Sequence, residues 1–278
     1  MSILQSKIGL GTVQFGTDYG ISNAEGKTSY KEVGDIIEYS LKSGITYLDT
    51  AYAYGDAETV LGNFDLSPFK IISKYIPHEV PLIKQFQASL IRLGVDSFYG
   101  YLAHRPLDLI ENGKRNWEIL KEFKSDGKVK KIGASFNSRE ELDAVLNSGI
   151  EVDIIQVPFN YFDNRFEADM EKLKDKGVEI HTRSSFLQGL FFCDPDQLDD
   201  FFNDIKFQLK ELQKVEDLAG KLLKFVLEKS FVDIVNIGVN NLAQLEENLI
   251  KIQKVSEELP KITNQFDSRI LMPSEWPK

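Results

Sequence analysis

The stretch ITYLDTAYAYGDAETVLG, residues 45–62, opens as a strand and closes as a helix. Its first residues are apolar and β-branched or aromatic, which suits a buried strand. Its last residues space their apolar positions as an amphipathic helix does. Between the two sit Asp49, Tyr52 and Tyr54. An acid and two phenols thus stand where the backbone has just left the core.

The same unit recurs in both directions. Strand-like runs are KIGLGTVQF (7–15), ITYLDTA (45–51), FKIISKY (69–75), FYGYLAH (98–104), KKIGASF (130–136), VDIIQVPF (152–159), VEIHTRS (178–184) and VDIVNIGV (232–239). Amphipathic stretches follow them at 30–44, 57–64, 81–94, 116–127, 138–149, 165–177, 199–229 and 241–253. Gly44, Gly94, Gly127, Gly149 and Gly177 stand at helix ends, as C-terminal caps do. Strict strand–helix alternation implies parallel strands. Strands rich in Ile and Val with little polar alternation imply burial on both faces. Eight such units predict an α/β fold, a closed (β/α)₈ TIM barrel forming a single domain over residues 1–278. An open doubly wound sheet is the competing architecture. It usually carries a GxGxxG turn after the first strand, and GLGTVQFG lacks that spacing.

Bulk properties narrow the function classes. The 278 residues are 42% hydrophobic and 27% charged, an ordinary globular mixture. The net charge of −10 supplies no basic excess for neutralising phosphates, so no nucleic acid is expected as a partner. The single cysteine, Cys193, excludes an internal disulfide and a cysteine-based metal site. The start, MSILQSKIGLG, is too short and polar for a secretory signal, and no apolar run is long enough to span a bilayer. The expectation is a soluble, cytoplasmic protein with no membrane partner.

In a barrel of this kind, function sits at the carboxyl ends of the strands. The second strand ends in Asp49, with Tyr54 in the loop beyond; the third ends in Lys74 and the fourth in His104. The fifth carries Ser135, the sixth Gln156, and the seventh Arg183 and Ser184. Each has a bland reading: Asp49 as a helix cap, Lys74 as a solvated charge, His104 as a structural imidazole, Tyr54 as packing. Neighbouring strands lie about 5 Å apart, so Asp49, Lys74 and His104 are expected to converge, and coincidence at adjacent strand ends is improbable. An ammonium lowers the pKa of a nearby phenol. Lys74 is expected to do this to Tyr54, with Asp49 keeping Lys74 charged and His104 polarising a carbonyl oxygen. Together they make a donor pair aimed at an oxygen that gains negative charge. His78, His104 and His181 share no metal-ligand spacing with carboxylates.

These residues resemble the aldo-keto reductase family, from GLGT at residue 9 to LEENL at residue 245 onward. GITYLDTAYAYGDAETVLG is the most specific part, and its Asp-x4-Tyr spacing picks Tyr54 rather than Tyr52. ISK supplies Lys74 and YLAHRP supplies His104, so Tyr54, Asp49, Lys74 and His104 fill the family's catalytic tetrad. The resemblance implies a (β/α)₈ barrel that reduces a small-molecule carbonyl to an alcohol. Hydride comes from a nicotinamide cofactor and a proton from Tyr54. NADPH is the expected dinucleotide, with NADH second.

The resemblance also assigns cofactor positions. Gly11, Thr12 and Val13 follow the first strand, beside Asp49. Ser135 and Gln156 match residues that hold the carboxamide; the Asn common after that Ser is replaced by Phe136, leaving Asn137 as a substitute. In RSSFLQGL the first residue is usually Tyr or Trp stacked on the nicotinamide. Here it is Arg183, whose planar guanidinium can also stack, with Ser184, Phe186 and Gly189 flanking the pyrophosphate. Gly238, Val239, Gln244, Glu247 and Asn248 match the adenosine-binding stretch. Gly238 and Gln244 stand where cations often bind the 2′-phosphate, which leaves backbone amides at the start of the last helix to hold a phosphate. The short N-terminal segment leads to the expectation that the hairpin that often closes the barrel floor in the family is absent. The short tail DSRILMPSEWPK points to an open site for a polar or bulky carbonyl such as a sugar derivative. Two other functions compete: a cofactor-binding redox sensor or regulatory subunit on the same barrel, and a Schiff-base enzyme using Lys74.

Overall fold

The computed structural model describes residues 4–254, 259–260 and 266–277. Eight parallel strands close into a barrel in sequence order, β1 pairing with β8. They are β1 (Ile8–Gly11), β2 (Tyr47–Asp49), β3 (Lys70–Tyr75), β4 (Phe98–Ala103), β5 (Val129–Ser135), β6 (Ile154–Pro158), β7 (Glu179–Arg183) and β8 (Ile234–Gly238). Around them lie α1 (Tyr30–Lys42), α2 (Ala57–Leu61), α3 (Leu82–Leu93), α4 (Arg115–Ser125), α5 (Arg139–Asn147), α6 (Glu167–Asp175), α7 (Asn203–Leu212), α8 (Leu218–Leu227) and α9 (Leu242–Lys254). Parallel neighbours need crossover connections, here mostly helices, which cover the outer face of the barrel. The alternation read from sequence is therefore also the topology.

Local chemistry sets the helix ends. Ser138 and Glu141 form a reciprocal capping box at the start of α5. Gly94 closes α3 in the left-handed region, φ 64°, where its N–H reaches the carbonyls of Leu90 and Ile91.

Two elements differ from the sequence reading. The first strand ends at Gly11, because Thr12 turns away to give its N–H and its hydroxyl to Asp49 O. The expected helical segment 199–229 divides into α7 and α8, with Asp217 at φ 53° between them. The division has a packing cause. α8 packs on the main core through Leu223, Val226 and Leu227. α7 builds a satellite core, joined by Leu218 and Leu222 of α8, in which Ile205 and Leu209 meet Leu187, Leu190 and Phe191 of the loop after β7.

No strand precedes β1 among the described residues. The barrel floor is filled by polar side chains from the strand starts. Tyr99 donates to Glu179 (2.7 Å), Lys131 pairs with Glu179 (2.7 Å), and His181 Nε2 lies 2.7 Å from the same carboxylate. Burial alone would raise Glu179; contacts from His181, Lys131 and Tyr99 outweigh it and hold the carboxyl at about 2. In the tail, Ile270 and Trp276 join the satellite core, and Arg165 donates to Leu271 O at 3.0 Å. Lys278 lies outside the described residues. No helix of the described residues is long and apolar enough to cross a membrane.

Candidate active site

The strand register brings the expected polar residues to one rim. Asp49 ends β2, opposite Gly11 of β1. Lys74 sits one residue from the end of β3, and His104 directly follows β4. Lys74 is fully buried and spends its ammonium on three acceptors: Asp49 Oδ1 (2.8 Å), Asp49 Oδ2 (2.7 Å) and Thr50 O (2.9 Å). An ammonium has three protons, so none remains for another bond. Burial pulls Lys74 down, while Asp49 opposes that pull and favours the charged form. Gln156 adds a further bond to Asp49, Nε2 to Oδ1 at 2.7 Å.

Tyr54 lies against this pair. Lys74 Nζ is 5.3 Å from the centre of its ring, and the His104 ring meets it edge-on at 5.7 Å and 83°. Sequence reasoning expected Lys74 to lower the Tyr54 pKa. The balance runs the other way: burial raises Tyr54, the Asp49 charge raises it further, and Arg183 only partly opposes them. Burial is the chief cause, and the Asp49 carboxylate that pairs with Lys74 adds to it. His104 is held at about 3, lowered by burial and then by the charges of Lys74, Arg183 and Arg105. It is neutral near pH 7, and its Nδ1 is buried without a partner.

The loop between β1 and α1 fixes this geometry. A Cβ on Gly16 would stand 1.9 Å from Tyr54 O and 2.4 Å from Ala57 N. Gly55, at φ 57°, would meet Gly16 O at 2.2 Å. The glycine that ends GLGTVQFG therefore lets two loops touch directly beneath Tyr54.

A cavity of about 600 Å³ opens from this cluster along the rim toward α9. Of the residues assigned to a cofactor by sequence, Gly11, Thr12, Val13, Asp49, Arg183, Ser184, Phe186, Gly189, Gly238, Gln244, Glu247 and Asn248 line it, as does Tyr54. Ser135 and Gln156 lie buried behind Asp49, with Ser135 Oγ 3.4 Å from Gln156 Oε1. The Val239 side chain packs into the main core. Asn137 does not point a free amide oxygen at the cavity, because Oδ1 accepts from Arg183 at 2.6 Å.

Three amides at the start of α9 are engaged within the protein. The N–H of Asn240 is taken by Gln244 (2.8 Å), that of Leu242 by Glu32 (2.5 Å) and that of Gln244 by Asn241 (2.9 Å). These amides already have acceptors. Lys251 lines the cavity nearby, paired with Glu247 (2.5 Å) and 3.8 Å from Asp217.

Several wall residues were not foreseen. Gln14, Tyr19, Ser185, Gln188 and Asn236 all face the cavity. Tyr19 accepts from Gln188 (2.8 Å), and Ile21 N donates to Gln188 O (3.1 Å), so the loops after β1 and β7 meet across the rim. The second loop is contorted, with Ser184, Leu187, Gln188 and Gly189 all at positive φ. Non-glycine residues hold that conformation only when their surroundings enforce it. Here the satellite core grips Leu187 and Leu190, and Asn160 Nδ2 holds Ser184 O at 3.0 Å. Gln14 Oε1, Ser185 Oγ and both side-chain atoms of Asn236 are buried on this wall with no partner within the protein. Such groups suit a polar ligand that spans the cavity. No group of three or more potential metal-ligating side chains occurs among the described residues.

A closed eight-stranded barrel with its polar cleft at the carboxyl rim defines the class of this protein. The profile of the Aldo/keto reductase family matches residues 7–265, and the chain belongs to that family, whose members reduce carbonyls with NAD(P)H. It is 26% identical over 289 residues to aldo-keto reductase YhdN of Bacillus subtilis, covering 87% of this chain and 83% of that one. It is also 26% identical over 219 residues to the NADH-specific methylglyoxal reductase of Escherichia coli, covering 68% and 66%. Among solved structures, the holo form of an aldo-keto reductase from Bacillus halodurans superposes with a TM-score of 0.72 at 20% identity, covering 91% of this chain and 88% of that one. An aldo-keto reductase from Klebsiella pneumoniae in complex with NADPH gives 0.66 at 20% identity, covering 94% of each.

Proposed function

We propose that this chain reduces a polar carbonyl to an alcohol, with Tyr54 as proton donor, His104 orienting the carbonyl, and Asp49 and Lys74 holding the phenol's electrostatic environment. The observation that carries this reading is the Lys74 ammonium, spent entirely on Asp49 and Thr50 and set 5.3 Å from the Tyr54 ring. A lysine with all its protons engaged is poorly placed as a Schiff-base nucleophile, which needs a free amine. It is well placed as a fixed positive charge.

The cavity residues fit a nicotinamide dinucleotide: the unpartnered atoms of Gln14, Ser185 and Asn236 offer donors and acceptors along one wall. When bound, the nicotinamide supplies hydride to the carbonyl carbon. Tyr54 then delivers its proton to the oxygen as negative charge develops there. A pKa raised by burial keeps the phenol protonated until that moment, and an alkoxide is basic enough to take the proton. Lys74 stabilises the phenolate left behind. Neutral His104 can donate one N–H to the substrate oxygen without competing as an acid.

The dinucleotide preference follows from the far end of the cavity. Lys251 is the cation on that wall, and it is already committed to Glu247. We propose weak discrimination, with NADH and NADPH binding within about tenfold of each other, a difference of about 1.4 kcal/mol or less. No residue of 259–260 or 266–277 lines the cavity, which supports an open site for bulky or polar carbonyls. The relatives are named as reductases, which favours turnover over a sensor role. Titration with NADH and NADPH, followed by oxidation assays over a carbonyl panel, tests the reading. Turnover on sugar-derived or polar carbonyls is expected. Activity confined to small apolar aldehydes would contradict the substrate class, and tight binding without turnover on any carbonyl would contradict the enzyme.

A further inference from the structure

Arg183, the last residue of β7, carries a charge that its surroundings do not neutralise. Its hydrogen-bond acceptors are all neutral: Asn137 Oδ1 (2.6 Å), Phe136 O (3.1 Å), Ser135 Oγ (3.4 Å) and Ser184 Oγ (3.4 Å). No carboxylate of the described residues lies within ion-pair distance. The acids whose fields it shares already have cations of their own, Asp49 with Lys74 (2.7 Å) and Asp163 with Arg165 (2.7 Å). The guanidinium therefore stands without an ionic partner among the described residues. Its field reaches the reacting cluster, where it favours the deprotonated forms of Tyr54, Lys74 and His104. The site is thus preloaded with one fixed positive charge.

Arg183 also lines the cavity with Asp49 and Tyr54. A ring that passes hydride to a carbonyl protonated by Tyr54 must lie at this end. The oxidised nicotinamide ring is a cation and the reduced ring is neutral. An aromatic wall would attract the cationic ring through its π face. A guanidinium repels it and still offers the neutral ring a planar surface for stacking. We propose that Arg183 sets the redox preference of the cofactor site, favouring the reduced nicotinamide over the oxidised one and so biasing the protein toward carbonyl reduction and rapid release of the spent cofactor. This rests on the reductase reading above.

The two forms of one dinucleotide share every phosphate, ribose and adenine contact. Their affinity ratio therefore isolates the charge difference at the ring. Titration of the full chain with NADPH and NADP⁺, and with NADH and NAD⁺, reads that ratio directly. The wild type is expected to bind the reduced form at least about tenfold more tightly, the factor that one modest charge contact supplies. Arg183→Gln should remove most of this preference by strengthening oxidised binding, and Arg183→Lys should keep it. Equal or tighter binding of the oxidised form by the wild type overturns the proposal, even should the Gln variant fail to fold. So does an equal change in the ratio for the Lys and Gln variants, which would assign the effect to packing rather than charge. Binding of neither form would overturn the reductase reading and this proposal together; binding without the preference overturns this proposal alone.

Discussion

His104 shows how one side chain ties the site's chemistry to stability. Its pKa falls from 6.5 to about 3 because it is buried beside cations. Above pH 6.5 the imidazole is neutral folded or unfolded, so it costs nothing there. As the pH falls from 6.5 toward 3, the unfolded chain takes up a proton that the folded one refuses. Stability is lost across that window by up to about 1.4 kcal/mol per pH unit. Urea unfolding of wild type and His104→Gln at a series of pH values checks this: the variant should lose less stability between pH 6.5 and 4. Across pH 6 to 8 the wild-type reduction rate should show no step from His104, because the group does not titrate there. The identities of Asp49, Lys74, His104 and Tyr54 as rim residues were legible in the sequence, since each falls at a strand exit. The direction of the Tyr54 shift was not. It depends on how completely Asp49 offsets Lys74 and how deeply the ring is buried, and neither is encoded in spacing.

At the scale of elements, the loop after β1 is a support for Tyr54. Gly16 allows it to touch the Tyr54 carbonyl and the Ala57 amide. Gly16→Ala should leave a folded barrel and displace the phenol. A misplacement of about 1 Å can cost about 10²-fold in rate. The expected result is therefore an unchanged far-ultraviolet circular dichroism spectrum with kcat/KM reduced by about that factor. The glycine was visible in GLGTVQFG, but its contact with a loop forty residues on in sequence was not. The strand–helix alternation was legible because both periodicities are local. The break at Asp217 was not, because it serves the satellite core, whose members come from four separate parts of the chain, among them Phe162, Leu187, Ile205 and Ile270. The same limit hid Tyr19 and Gln188, whose place on the cavity wall depends on loop conformation rather than pattern, and Asn236, whose place depends on the β1–β8 closure of the barrel. Arg183 stood out as a departure from the usual aromatic; its lack of a carboxylate partner is a fact of three dimensions only.

The molecule as a whole divides its labour between two ends, as barrels of this type do. The floor holds Glu179 with Tyr99, Lys131 and His181; the mouth holds the reacting cluster. The Glu179 pKa is depressed from 4.5 to about 2, so its stabilising contribution is full above 4.5 and lost as pH falls toward 2. Glu179→Gln should lower stability at pH 7, flatten the acid limb below pH 4.5, and leave the reduction rate of the folded protein unchanged. Denaturant melts beside initial rates check both halves. The proposal for the mouth is that the Tyr54 hydroxyl gives a proton to the substrate oxygen. Its most direct test is the single-turnover rate of Tyr54→Phe, preloaded with reduced dinucleotide, against wild type. The account predicts a fall of about 10²- to 10⁴-fold with dinucleotide affinity unchanged; reduction at the wild-type rate would contradict it.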